Sequence, residues 1–461
     1  MGATSAIANF IINTSARDFP ADAVEKSKKV IADTYAVLLA GVSSEVAEPM
    51  MRYVELARES GASPILGTGV TATAETAALV SGAYGHALDY DDVLSMMPAH
   101  PSVVILAAVL ADLNGTPVSG REMLDAYIIG VEVGGKIGVG MTNDHYKRGF
   151  HATGTLALFS AVAALAKLNK LDTATTEQAF GIAASMSSGL RRNFGTMVKP
   201  LHSGIAARSA LTAVRLAKCG FTAARDIMEA KAGFFSTYGV AESDPEVTVR
   251  GLGRPFVVSD PGIAIKKFPC CYATHRAMDG VLTLRERLGF DASSIEKVTC
   301  KMPPGGMSVL IYPRPVTGLE GKFSLPYCIA AAVLDGKFSL WSFGDEAVRR
   351  KEIAALYEKI DAIEHDSSRG DDPHFEKKSS GSRGFVQVEV KLRDGRTDHI
   401  RVDRAPGAPS RELTWDDMRA KFMDCAKQAP RIATADASNA FVAITKLETL
   451  ADIRSISAKL H

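Results

Sequence analysis

Three short segments hold most of the chemistry-bearing side chains that stand among apolar neighbours. The first is His86-Ala87-Leu88-Asp89-Tyr90-Asp91-Asp92, followed by His100-Pro101-Ser102. The second is Arg148-Gly149-Phe150-His151-Ala152-Thr153-Gly154-Thr155. The third runs from Asn193 through Lys199, Pro200 and His202 to Gly204. Carboxylates and imidazoles are costly to bury unless they are paired or put to use. Three such islands in one apolar framework predict an enzyme site assembled from helix ends.

Each residue also has a plainer reading. His86, Asp91 and Asp92, taken singly, read as hydrogen bonds that fasten the fold. Asp89 reads equally well as a fastener or as an acid–base or orienting group. On a continuing helix His86 and Asp89 share a face, as do Asp89 and Asp92. His100 precedes Pro101, and an imidazole just before a helix start is usually accessible, which favours function; Ser102 is a candidate cap for that helix. His151 falls at the start of an apolar helix, with Thr153 and Thr155 in its first turn, where free N–H groups attract anions. Lys199 precedes a proline, which predicts an irregular loop over 195–204 leading into a helix. Lys199 and His202 in such a loop can meet a carboxylate, and Lys199→Ala is expected to abolish turnover and leave the fold intact. Further on, Lys266-Lys267-Phe268-Pro269-Cys270-Cys271 is followed by Tyr272, Thr274, His275 and Arg276. Cys271 reads as packing unless a base is paired with it. Six of the ten histidines lie between His86 and His275, four of them within three residues of a Lys or Arg. The pattern suits a small anionic polycarboxylate and proton transfer at carbon.

Other chemistry is not indicated. No His-x-x-x-His pair occurs, so no metal is expected. The sequence lacks Gly-x-Ser-x-Gly, Walker and kinase motifs. Gly130, Gly134 and Gly138 recur every four residues, and read as close helix packing rather than a nucleotide loop. Net charge is +1 in 461 residues, with 46% hydrophobic and 23% charged residues. That balance offers no field for nucleic acid or a membrane surface. The six cysteines form no Cys-x-x-Cys pair, which fits a reducing, cytoplasmic setting. No signal peptide is read in residues 1–18, and no apolar run reaches membrane-spanning length.

The elements that must position these groups are mostly helices, giving a mainly α fold. Helices are predicted from Pro20-Ala21-Asp22 to Leu39, and over 45–60, 73–93, 102–113, 119–140, 151–169, 174–190, 203–219 and 222–232. Many are apolar nearly all round and should be buried. After Lys267 the pattern changes. Strands are predicted at 298–302, 385–392 and 396–402, with a tight hairpin at Asp394-Gly395, and helices at 274–288, 321–334 and 345–361. Residues 365–384 read as an exposed loop, and the helical pattern returns from Thr414 to Cys425 and over 434–448. The expected organisation is a large, discontinuous all-helical bundle domain (1–266 and 405–461) and a smaller α+β lid domain (267–404).

Together the islands resemble the MmgE/PrpD family. The resemblance rests on the His86–Asp92 segment with His100-Pro-Ser, on Gly149-Phe-His-Ala-Thr-Gly-Thr, on Asn193-Phe-Gly-Thr-Met-Val-Lys-Pro-Leu-His and on Lys267-Phe-Pro-Cys-Cys-Tyr-Ala-Thr-His. Glu320–Tyr327 and Lys421-Phe422 also fit. That family includes 2-methylcitrate dehydratase, cis-aconitate decarboxylase and iminodisuccinate epimerase. The resemblance implies a cofactor-free homodimer with its site between the two domains. It implies that Asp89, His100, His151, Lys199, Lys266 (or Lys267) and Tyr312 line that site; His202, Cys271 and Thr155 are read beside them as substrate-binding. Lys199, Lys266 and the histidines would neutralise carboxylates, and His100, His151 or Tyr146 would move protons. The decarboxylase pattern has Thr at Val93 and His at Cys271, which points away from decarboxylation. A dehydratase-type lyase is expected first and an epimerase second.

Overall fold

A computed structural model describes residues 2–113, 117–371, 373 and 375–461. Asp372 and His374, in the predicted 365–384 loop, lie outside the described residues, as does Met1. The chain is mainly helical with a minor sheet, and divides into two compact units. The first comprises Met1–Asn193, Met197–Ile265 and Leu413–His461; the second comprises Phe194–Thr196 and Lys266–Glu412.

In the first unit the core is a set of helices with few charges. Every residue of the Pro101–Ala111 helix is buried, as its all-round apolar sequence requires. Pro101 opens it at N1, where a missing N–H costs nothing. The cap residue is His100, without a side-chain cap bond. Ser102, the candidate cap, lies inside the helix and bonds Asp92 and Tyr127 instead.

Two helices place the candidate site. One is Ala74–Ala87, capped by Thr73; the other is Val198–Lys218. They cross at a pair of glycines. A Cβ on Gly204 would meet the Leu79 carbonyl oxygen at 2.1 Å, and one on Gly82 would meet the Gly204 Cα at 2.7 Å. Only glycine at both positions permits this approach. The crossing brings the first turn of one helix, with Lys199, to the last turn of the other, with His86. The stripe of small residues behaves in the same way: Ser160 Oγ lies 1.7 Å from where a Cβ of Gly134 would stand.

Several boundaries differ from the sequence expectation. The predicted 73–93 helix stops at Ala87, because Asp89 takes a left-handed backbone, φ 49°. The expected loop over 195–204 is helical from Val198. Pro200 falls in the first turn, where backbone N–H groups lack intrahelical partners, so the proline is tolerated there. The 119–140 helix extends as Gly120–Lys147, broken at Thr142 (φ 63°, ψ 164°). Residues 222–232 form turns, not a helix. The unit also has a helix at Ala3–Asn13 and a short antiparallel hairpin, β1 (Ser63–Ile65) with β2 (Val70–Ala72). It is therefore not all-helical.

The second unit carries a four-stranded sheet. Its strands are β3 (Ile295–Met302), β4 (Ile360–Glu364), β5 (Val386–Leu392) and β6 (Thr397–Val402), in the order β4-β3-β5-β6. β3 and β4 are parallel; the other pairs are antiparallel. Gly395 turns the β5–β6 hairpin with φ 89°, the conformation a tight hairpin turn asks of glycine. The His275–Leu288 helix packs on the sheet, where Gly280 lies against Val388. In the polar 365–384 segment, Ser368, Phe375 and Arg383 are buried, so that loop is only partly exposed. Among the described residues all six cysteines are free thiols, and no single helix is long and apolar enough to cross a membrane.

Candidate active site

The chain reversal at Asp89 gathers the first island. Asp89 N–H bonds the His86 carbonyl at 3.2 Å, closing the end of the helix. The segment beyond is tied down by paired backbone bonds between Val93 and Ala264. His86 Nδ1 then lies 3.1 and 2.9 Å from the two oxygens of Asp91. On its other side, His86 Nε2 is 2.8 Å from Lys199 Nζ, which also donates to Asp89 Oδ1 at 2.6 Å. A row of carboxylate, imidazole, ammonium and carboxylate results, and all four residues are buried.

His100 and His151 flank this row. His100 Nδ1 is 2.6 Å from the Asp92 carbonyl oxygen and 3.5 Å from Asp91 Oδ2. A carbonyl only accepts, so Nδ1 carries a proton; in the neutral ring Nε2 then keeps its lone pair. The His86 ring lies 4.5 Å from that of His100 and stacks on that of His151 at 5.6 Å. His151 Nδ1 meets His202 Nδ1 at 3.0 Å, so one of the two imidazoles donates to the other.

Electrostatics keep these last two neutral. Burial, and then the Lys199 charge, push the His151 imidazole well below its usual range. The same two causes lower His202 to about 4. Asp92 goes the other way: burial and the neighbouring Asp91 charge raise it well above a normal carboxyl. Its side chain accepts from Ser102 at 2.8 Å, and Ser102 Oγ meets the Tyr127 hydroxyl at 2.7 Å.

The other predicted residues fall as follows. The Thr155 hydroxyl lies 2.8 Å from Nε2 of buried His145 and 3.3 Å from the His151 carbonyl. It supports His151 from behind, whereas the sequence reading turned it to substrate. The Tyr146 ring is covered by the Arg191 guanidinium at 4.0 Å. In the second unit Lys266 is buried and Lys267 exposed, so Lys266 is the lysine withdrawn from water. Cys271 is half-buried and its N–H donates to the Lys322 carbonyl. The Tyr312 hydroxyl donates to the Phe194 carbonyl at 2.9 Å. His86, Asp91 and His145 were passed over as site residues. For the first two the signal was present in the motif, since both stand in the same acidic segment.

His86, Asp89, Asp91 and His100 bring ligand-type atoms within 4.8 Å of one another. By type they could hold a metal ion. However, the Lys199 ammonium already sits against His86 Nε2 and Asp89, and is the cation these donors face.

A buried lysine beside carboxylates, with neutral imidazoles around it, is the kind of cluster that acid–base chemistry on an anionic substrate calls for. The comparisons with known proteins agree in class. The model of the MmgE/PrpD N-terminal domain matches residues 5–245, and that of the MmgE/PrpD C-terminal domain matches residues 268–449. The chain is an enzyme of the MmgE/PrpD family. It is 28% identical to cis-aconitate decarboxylase from Mus musculus over 443 residues, 93% of this chain and 87% of that protein. The Homo sapiens cis-aconitate decarboxylase is 27% identical over 95% of this chain and 90% of its own length. The Aspergillus terreus cis-aconitate decarboxylase is 28% identical over 78% of each chain.

Proposed function

We propose that this enzyme is a lyase acting on a small polycarboxylate, with dehydration as its leading reaction. The observation that carries this reading is Lys199 Nζ, held 2.8 Å from His86 Nε2 and 2.6 Å from Asp89. A buried ammonium fixed by neighbours stabilises a substrate carboxylate, and does so more strongly as negative charge builds up on the adjoining carbon. His100 Nε2, unprotonated, takes the proton from that carbon. The C–H electron pair becomes the new C=C bond as the neighbouring C–O bond breaks. The departing hydroxyl needs one proton to leave as water, and the His100 imidazolium holds one. Deprotonating a carbon beside a carboxylate needs both parts, a base and a fixed cation.

Decarboxylation is the second reading, favoured by the activity for which the relatives are named. There a C–C bond breaks, CO2 leaves with its electron pair left on carbon, and an imidazole that starts the cycle protonated from solvent gives its proton to that carbanion. Val93 and Cys271, which depart from the decarboxylase pattern, put it second.

The test is proton NMR of the purified enzyme in D2O with 2-methylcitrate, citrate, cis-aconitate and iminodisuccinate in turn. Loss of water from a hydroxy acid supports the first reading, and CO2 release with a shorter product supports the second. Deuterium uptake at a stereocentre without a new skeleton would replace the lyase reading with an isomerase. No change with any of the four counts against the polycarboxylate reading.

A further inference from the structure

Asp91 occupies a place that the proposed reaction does not use. Its carboxylate is fully buried, and both oxygens lie on His86 Nδ1, at 3.1 and 2.9 Å. One of them is also 3.5 Å from His100 Nδ1. A carboxylate can only accept, so His86 Nδ1 must carry a proton. An ammonium can only donate, so His86 Nε2, 2.8 Å from Lys199 Nζ, must not. One protonation state satisfies both ends: a neutral imidazole with its hydrogen on Nδ1.

We infer that Asp91 is a positioning residue. It fixes His86 in the Nδ1–H tautomer, and through that imidazole it aims the Lys199 ammonium. The opposite tautomer would set an Nε2–H against the ammonium's own hydrogens. Lys199 would lose its contact with His86 and swing away from the substrate. The same carboxylate borders His100, whose Nδ1–H is committed to the Asp92 carbonyl. A single buried charge thus faces the proton-bearing side of both imidazoles. A third group that sets the tautomer of a working histidine is a recurring device in enzyme sites.

This inference takes the Lys199 role from the proposed function, and its test is arranged so that the two can fail separately. The first arm needs no substrate. Protein labelled with 15N-histidine is studied by ring 15N–1H correlation, with the His86 signal assigned by its loss in His86→Gln. A protonated Nδ1 and a bare Nε2 are expected at neutral pH. A protonated Nε2 overturns the inference, whatever the enzyme catalyses. The second arm uses whichever polycarboxylate is turned over. Asp91→Asn should lower kcat/KM at least about 10-fold, most of it in kcat, because the Lys199 ammonium it aims holds the developing charge more tightly than the substrate carboxylate. Asp91→Glu should recover part of that loss. A structural carboxylate would instead lower the melting temperature and leave kcat per folded molecule unchanged, and that result also overturns it. If no substrate is found, or Asp91→Asn fails to fold, the tautomer of the wild-type enzyme still decides.

Discussion

The helical unit contains two buried lysine–aspartate pairs of the same length. Lys199 Nζ lies 2.6 Å from Asp89, and Lys421 Nζ lies 2.6 Å from Asp33. Their surroundings differ. Lys421 also donates to the Tyr90 carbonyl at 2.8 Å and sits 3.6 Å from the Tyr90 ring centroid. A backbone carbonyl has no proton to gain or lose, and the ring offers its π face. Lys199 meets an imidazole nitrogen instead, and two more imidazoles feel its charge. A buried ion pair alone therefore marks no site. What distinguishes Lys199 is the set of imidazoles around it.

The comparison is broken most easily by deleting the two lysines. Lys199→Met and Lys421→Met should each destabilise the protein by about 3–5 kcal/mol, because each leaves a buried carboxylate without its partner. Urea unfolding measures this. The burial of Lys199 thus revises the expectation that its loss would leave the fold intact. Only Lys199→Met should cost turnover per folded molecule, by about 10²- to 10³-fold. Equal activity losses from both would erase the distinction between the pairs.

Acid should sharpen it. His202 titrates near 6.5 in the unfolded chain and at about 4 in the fold. Because the folded value is depressed, the native state stays neutral while the unfolded chain takes up the proton. The stability is complete above about pH 6.5 and is lost as pH falls towards 4. For His202 alone the loss is roughly 3 kcal/mol, and His151 is shifted in the same direction. Melting temperatures across this range should fall steeply in wild type and less steeply in His202→Gln. A flat profile in wild type would mean that these imidazoles are not buried neutral.

The legibility of the structure follows the same physical divisions. The Pro101–Ala111 helix was readable because an unbroken apolar sequence has one stable place, the core. The β5–β6 turn was readable because Asp394-Gly395 specifies its backbone. The β1–β2 hairpin was not readable, since three-residue strands show too little alternation and Pro64 interrupts one of them. β4 escaped because it follows the Lys351–Tyr357 helix after two residues, and its pairing is with distant β3. The 222–232 segment failed through a tertiary contact: Met228 is buried and its N–H is taken by Thr4 Oγ1. In the candidate site, residue types were legible but partnerships were not. Had the helix continued to residue 93, His86 and Asp91 would stand five positions apart, about 140° around the axis. Their contact exists only because the backbone turns back at Asp89.

That turn supplies the smallest and most discriminating test. An L-residue in the left-handed region pays about 1–2 kcal/mol, Asp and Asn less, and glycine almost nothing. Asp33, the partner of Lys421, lies instead inside the Ala23–Ala40 helix, where glycine costs about 1 kcal/mol relative to alanine. Replacing either aspartate removes the same kind of charge, so within each series the ion-pair loss is common and cancels. What remains is the backbone. At Asp89 the order of stability by urea unfolding should be Gly above Asn above Ala, with about 1 kcal/mol between Gly and Ala. At Asp33 the order of Gly and Ala should reverse. Identical orders at both positions would show that Asp89 is not held left-handed, and the contact between Asp91 and His86 would lose its structural basis.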